Sequence, residues 1–177
     1  MAEQPERDGT ERTGRMMLIV AWVGGLLLLT LLFQNLLDDR FNPNVKPLVQ
    51  AGEDGRTEVV LERNAQGHYV ANGWINGSPV VFLLDTGATD VAIPEAVADR
   101  LRLARSGGAI SQTANGTVAV WQTSLDSVRI GSIELQGVRA AIVPTMGPRD
   151  PILLGMSFLR QLEFSQRDGQ LTLSHAG

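Results

Sequence analysis

The chain has 177 residues, 44% of them apolar, with 15 basic side chains against 19 acidic ones and no cysteine. The missing thiols exclude a disulfide-stapled scaffold, a cysteine-ligated zinc or iron-sulfur centre and a cysteine nucleophile. A net charge of −4 with a single lysine, Lys46, speaks against binding nucleic acid, and His68 and His175 stand too far apart in the chain to suggest a metal site.

The apolar residues are concentrated at one end. After an N-terminal segment, 1–15, the run from Met16 to Leu37 carries no charge and no polar face, and it is long enough to cross a bilayer as one helix. The stretch Gln34-Asn35-Leu36-Leu37-Asp38-Asp39 lacks the small residues of a cleavage site, so the span reads as an uncleaved anchor that contacts the lipid bilayer through residues 16–37. Arg7, Arg12 and Arg15 precede it and Arg40 and Lys46 follow. This bias places the N-terminus in the cytoplasm and the rest of the chain outside the inner membrane, in a periplasmic or extracytoplasmic space.

Residues 38–58 contain two prolines, scattered charge and no apolar period, and are expected to form a flexible tether. Residues 59–177 are then the globular part. It is nearly neutral, with nine arginines against ten acids, so long-range steering is not its main device.

Turn pairs punctuate this part at short intervals: Asn76-Gly77, Asn115-Gly116, Gly131-Ser132 and Asp168-Gly169. Such pairs supply the positive backbone angles of tight hairpins. Between them lie β-rich runs over Tyr69 to Ile75, Val80 to Leu84, Val118 to Leu125, Val128 to Ile130, Ile133 to Val143 and Leu171 to Leu173. Pro94 to Leu101 and Met156 to Leu162 read as short helices. The fold class is mainly β, a small barrel or sandwich.

The most informative stretch is Val80-Val81-Phe82-Leu83-Leu84-Asp85-Thr86-Gly87-Ala88-Thr89-Asp90. Five apolar residues in a row predict a strand buried on both faces, ending directly in a carboxylate. An ionised acid there needs hydrogen bonds or a shared proton. Thr86 offers a hydroxyl, and Gly87 allows a tight turn that brings amide groups to Asp85. A bare Asp-x-Gly is an ordinary turn, but a second unusual element follows at Pro151-Ile152-Leu153-Leu154-Gly155-Met156-Ser157-Phe158-Leu159.

With both elements in view, residues from about Tyr69 to Ser174 resemble the retropepsin-like aspartic proteases. The resemblance rests on the hairpin Gly73 to Pro79 leading into Leu83-Leu84-Asp85-Thr86-Gly87-Ala88, and on Leu153-Leu154-Gly155 followed by a short helix. The span at Met16 to Leu37 and the continuation Ala88 to Pro94 are similar to the bacterial membrane-anchored branch. This implies a retropepsin-like β-barrel with one or two short helices, preceded by a single transmembrane helix.

The resemblance further implies an aspartic endopeptidase without a cofactor or metal. Its catalytic residue would be Asp85, supported by Thr86, Gly87 and Ala88, with Leu153, Leu154 and Gly155 beneath the site. A hairpin flap would be tipped by Ala114, Asn115 and Gly116, although Asn115-Gly116 also reads simply as a hairpin tip. In aspartic proteases two carboxylates flank the water and share one proton, since like charges at such close range do not both ionise. One chain holds one Asp-Thr-Gly, so the family's answer is a homodimer that brings in a second Asp85, with Thr86 reaching across. The substrate would be an extended peptide or protein segment. Trp74 and Trp121 are expected to be packing residues, and Asp90 either accepts hydrogen bonds within the site loop or lies on the surface. The alternative reading is a non-catalytic peptide-binding or dimerisation module that retains this fold.

Overall fold

The computed structural model describes residues 8–52, 55–113, 116–147 and 150–175. The chain divides into two compact units, Met1–Arg40 and Phe41–Gly177.

The first unit is formed by helix α1, Asp8–Phe41, whose last residue belongs to the second unit. Within α1, Thr13–Leu32 is long and apolar enough to cross a membrane. Every large apolar side chain from Met16 to Leu32 is exposed, so among the described residues this stretch has no buried face. Thr30 turns its hydroxyl back onto the Leu26 carbonyl (2.8 Å), so it presents no unpaired polar group. The helix runs past Leu37, the expected end of the span, through Asp38, Asp39 and Arg40.

The second unit is mainly β. Six strands close into a barrel in the order β3 (Val70–Ile75), β4 (Ser78–Leu84), β9 (Ile152–Leu154), β5 (Val91–Pro94), β8 (Ile133–Val143) and β7 (Gly116–Ile130), with β7 pairing back onto β3. Strand β6 (Ser106–Thr113) adds to β7 as a hairpin. The closure depends on Gly73: a Cβ there would lie 2.4 Å from the Arg129 carbonyl oxygen and 2.6 Å from the Phe82 ring, so only glycine lets β3 approach β7. Phe82, Ile93, Leu125, Ile130, Ile142, Leu154 and Phe158 fill the interior. Helices α2 (Glu95–Arg100) and α3 (Met156–Leu159) are shorter than the two expected helices.

A second sheet contains β1 (Leu48–Ala51), β2 (Thr57–Glu62), β11 (Gln170–Ser174) and β10 (Glu163–Arg167) in the order β1-β2-β11-β10, all antiparallel. The expected turns at Asn76-Gly77 and Asp168-Gly169 have both residues at positive φ, as two-residue hairpins require.

Three expectations need correction. Strand β4 is not buried on both faces: Val80 and Phe82 point inward while Val81 is 37% exposed, so the run alternates like any barrel strand and its outward residues merely happen to be apolar. Val118 to Leu125 and Val128 to Ile130 form one continuous strand, β7, because β8 pairs along it without a break in the chain.

The third correction concerns residues 38–58, expected as a flexible tether. They contain the end of α1, strand β1, the start of β2 and a cluster of buried asparagines. Asn44 is 4% exposed and donates from Nδ2 to the carbonyls of Glu62 (2.9 Å) and Val70 (2.7 Å), while its Oδ1 accepts from the Glu62 amide (2.7 Å). Asn42 donates to Asn72 Oδ1 (2.8 Å), and Asn64 donates to the Phe41 carbonyl (2.9 Å). Amide side chains thus replace the ladder bonds a strand would make, and the chain is clamped to the domain from Phe41 onward.

Candidate active site

Asp85 stands where β4 ends. The Leu84 amide is held by the Tyr69 carbonyl (3.0 Å), and the Asp85 amide by the carbonyl of Leu154 (3.2 Å) in the parallel neighbour β9. The chain then turns: Ala88 N–H donates to the Asp85 carbonyl (3.2 Å), and Gly87 N–H donates to Asp85 Oδ1 (2.9 Å). Asp85 is half-buried, with Thr86 and Gly87 exposed beside it. Among the described residues no donor reaches Asp85 Oδ2, so the carboxylate is oriented through one oxygen and presents the other.

The second element predicted for the site lies directly under this loop. Leu153 and Leu154 pair with Leu83 and Leu84 of β4, and Leu153 also faces Ala92 of β5, so β9 is wedged between the strands that enter and leave the loop. Gly155 permits the closest approach. A Cβ on it would lie 2.3 Å from the Asp90 carbonyl oxygen and 2.7 Å from that of Ala88. The first turn of α3 then donates its free amides to the loop, Met156 N–H to the Ala88 carbonyl (2.8 Å) and Ser157 N–H to that of Thr89 (2.9 Å).

Two further residues support the loop, and the sequence did not single them out for this role. Ser157, 4% exposed, donates through Oγ to the Arg139 carbonyl (2.7 Å) and accepts from the Val91 amide (3.1 Å), which ties α3, β8 and the end of the loop together. Arg139 pairs with Asp90 at 3.0 Å, so Asp90 points out of the loop to a partner on β8. A serine two residues after the Leu-Leu-Gly triplet is the only sequence signal for the first, and nothing local marks the second. Among the described residues no three His, Asp or Glu side chains gather as metal ligands would.

The β6–β7 hairpin projects beyond β8, whose pairing with β7 starts only at Trp121. Its last described pair is Thr113 with Gly116, the latter at φ 106; Ala114 and Asn115, the other expected flap-tip residues, lie outside the described residues. The hairpin has a covered face, with Val118 half-buried and Val120 buried, and an open one carrying Ile110 and Trp121. Trp121 is 43% exposed and leans over Gly108 rather than into the core. Trp74 is half-buried beneath the Arg129 guanidinium, 4.1 Å from the ring centroid.

Residues 71–161 match the family model described as gag-polyprotein putative aspartyl protease. That stretch holds β3 from its second residue, β4, Asp85, the hairpin, β9 and α3, so the match covers the site. Among curated proteins, an uncharacterised protein encoded in the cobV 5′ region of a Sinorhizobium species is 34% identical over 116 residues, 64% of this chain and 49% of that protein. The uncharacterised protein RP867 of Rickettsia prowazekii is 29% identical over 119 residues, 66% of this chain and 50% of that one. The chain therefore spans about half the length of the curated relatives it matches.

Among solved structures, the crystal structure of a retropepsin-like aspartic protease from Rickettsia conorii is similar with a TM-score of 0.55 and 27% identity, covering 73% of this chain and 95% of that one. The barrel, the acid-ending strand and the family match agree: this chain belongs to the gag-polyprotein putative aspartyl protease family and has a retropepsin-like fold.

Proposed function

We propose that the chain is one subunit of a membrane-anchored aspartic endopeptidase. The observation that carries this reading is Asp85 itself, half-buried at the end of a barrel strand, fixed through one oxygen and, among the described residues, without a donor on the other. One such carboxylate is half of the required pair. A two-fold homodimer brings identical residues together across its axis and so supplies the second Asp85, with Thr86, exposed beside it, as the hydroxyl that reaches the partner.

Two carboxylates face to face share one proton, because like charges at that range do not both ionise. The ionised member takes a proton from the intervening water, which attacks the peptide carbonyl. The protonated member donates to the carbonyl oxygen, and the leaving amine then receives a proton as the C–N bond breaks. The substrate is an extended peptide segment covered by the β6–β7 hairpin, with Ala114, Asn115 and Gly116 at the tip. The apolar span of residues 16–37, which includes most of the membrane-length segment Thr13–Leu32, is the anchor, and the arginine bias supports a cytoplasmic N-terminus and a periplasmic protease domain.

Asp85→Asn tests the reading. Incubated with a diverse peptide mixture, wild-type protein is expected to cleave and the variant to be slower by about 10²- to 10⁴-fold, the usual range for losing a proton-transfer group. Equal cleavage by both proteins refutes it. No cleavage by either, together with peptide binding, supports a binding module instead.

A further inference from the structure

The clamp at the start of the domain has a consequence for which substrates the site reaches. The last apolar residue of the sequence-defined span is Leu37, and Asp38, Asp39 and Arg40 carry charge, so the chain leaves the hydrocarbon there. Four residues later the Phe41 carbonyl is held by Asn64 (2.9 Å), and Asn42 and Asn44 are fastened to Asn72, Glu62 and Val70. Whatever the conformation of residues 38–41, their path is about 6 Å as helix and at most about 14 Å fully extended.

A compact unit the length of Phe41–Gly177 has a radius of gyration of about 14 Å, hence a diameter of about 37 Å. No part of the domain then lies more than about 50 Å from the hydrocarbon edge. A flexible tether over residues 38–58 would have added up to about 70 Å to that reach.

Building on the proposed protease activity, we infer that its substrates are polypeptides held in or at the same bilayer, cut within about 50 Å of the membrane. A chain anchored in that bilayer shares the thin layer to which the site is confined. Its effective concentration there exceeds that of a soluble chain at equal bulk amount. A segment carried rigidly beyond the layer is out of reach.

The test uses the full chain in liposomes and one fluorogenic peptide offered in three ways: free in solution, membrane-anchored on a five-residue spacer, and membrane-anchored on a helical spacer of about 60 residues, roughly 90 Å long, that continues a transmembrane helix without a break and so stands upright on the bilayer. The short-spacer substrate is expected to be cut at least tenfold faster than the long-spacer one. In detergent, where no bilayer holds either, the two are cut alike. A 40-residue Gly/Ser insertion between Arg40 and Phe41 adds an r.m.s. length of about 35 Å and restores cutting of the long-spacer substrate. Equal cutting of both anchored substrates by the unmodified protein overturns the inference while leaving the protease reading intact. Failure to cut the free peptide under any condition overturns both.

Discussion

Gly155→Ala separates a site built by close backbone packing from one that merely sits on a loop. The added Cβ would lie 2.3 Å from the Asp90 carbonyl oxygen, 2.8 Å from its carbon and 2.7 Å from the Ala88 carbonyl oxygen. All three are backbone atoms, so no side-chain rotation relieves the overlap. Ordinary contact begins near 3.4 Å, and the loop from Ala88 to Asp90 must therefore retreat by about 1 Å. Gly155 has φ −87, which alanine adopts freely, so the effect is one of space and not of backbone freedom. Overpacking of this kind costs about 1–3 kcal/mol. The larger consequence is for Asp85, whose loop shifts with it: a misplacement of about 1 Å costs on the order of 10²-fold in rate. The assay measures kcat/KM on a peptide and chemical unfolding on the same sample. The expected result is a folded protein, weakened by about 2 kcal/mol, with kcat/KM about 100-fold lower. Gly108→Ala is the control, since its Cβ meets only Trp121 at 3.9 Å, and its stability should stay within about 0.5 kcal/mol of wild type. Wild-type kcat/KM and an unchanged unfolding midpoint in Gly155→Ala would refute the reasoning.

Asn44→Ala strips the partners from the Glu62 amide, the Glu62 carbonyl and the Val70 carbonyl together, and should cost about 3–4 kcal/mol in urea unfolding of the full chain in mild detergent. A loss under about 1 kcal/mol would show that the clamp contributes no more than a surface contact. On the proposed dimeric site, activity per chain in detergent should fall on dilution as subunits separate, while in liposomes at fixed protein-to-lipid ratio it holds constant. Undiminished activity from a species that sizes as a monomer would place both catalytic groups in one chain.

How much of this was legible in the sequence depends on how local each cause is. Strand β8 has its expected limits, Ile133–Val143, because it follows a turn and carries its own β-rich pattern. The turn at Asn76-Gly77 was equally legible, since both residues take the positive φ their types favour. Strand β6 was not: Ser106, Gly107 and Gly108 have poor strand propensity, and they become a strand only because β7 offers an edge to pair with. The asparagine clamp was misread for a related reason. Asn42, Pro43 and Asn44 have the composition of a linker, and the bonds that order them come from residues 18 to 30 positions away. In the candidate site, Asp85 and Leu153-Leu154-Gly155 stand out as motifs, whereas Ser157 and Arg139 act on the loop across 66 and 49 positions and leave no local mark.

The same contacts bear on what a second subunit has to provide. The loop from Asp85 to Val91 is held by Leu154, Met156, Ser157 and Arg139, all of its own chain. Its geometry is therefore set in the single subunit. A partner that approaches this face meets a carboxylate already aimed and a Thr86 hydroxyl already exposed, and adds its own copies without ordering either loop. Association then costs mainly the loss of overall motion, since little loop entropy remains to be lost. Anchoring of the proposed kind would remove part of that remaining cost, because two membrane-spanning helices search one plane instead of a volume. A small interface suffices under those conditions. On the proposed reading, the isolated domain would dimerise weakly while the anchored chain would work as a pair, and the membrane span would belong to the proposed catalytic device as much as Asp85 does.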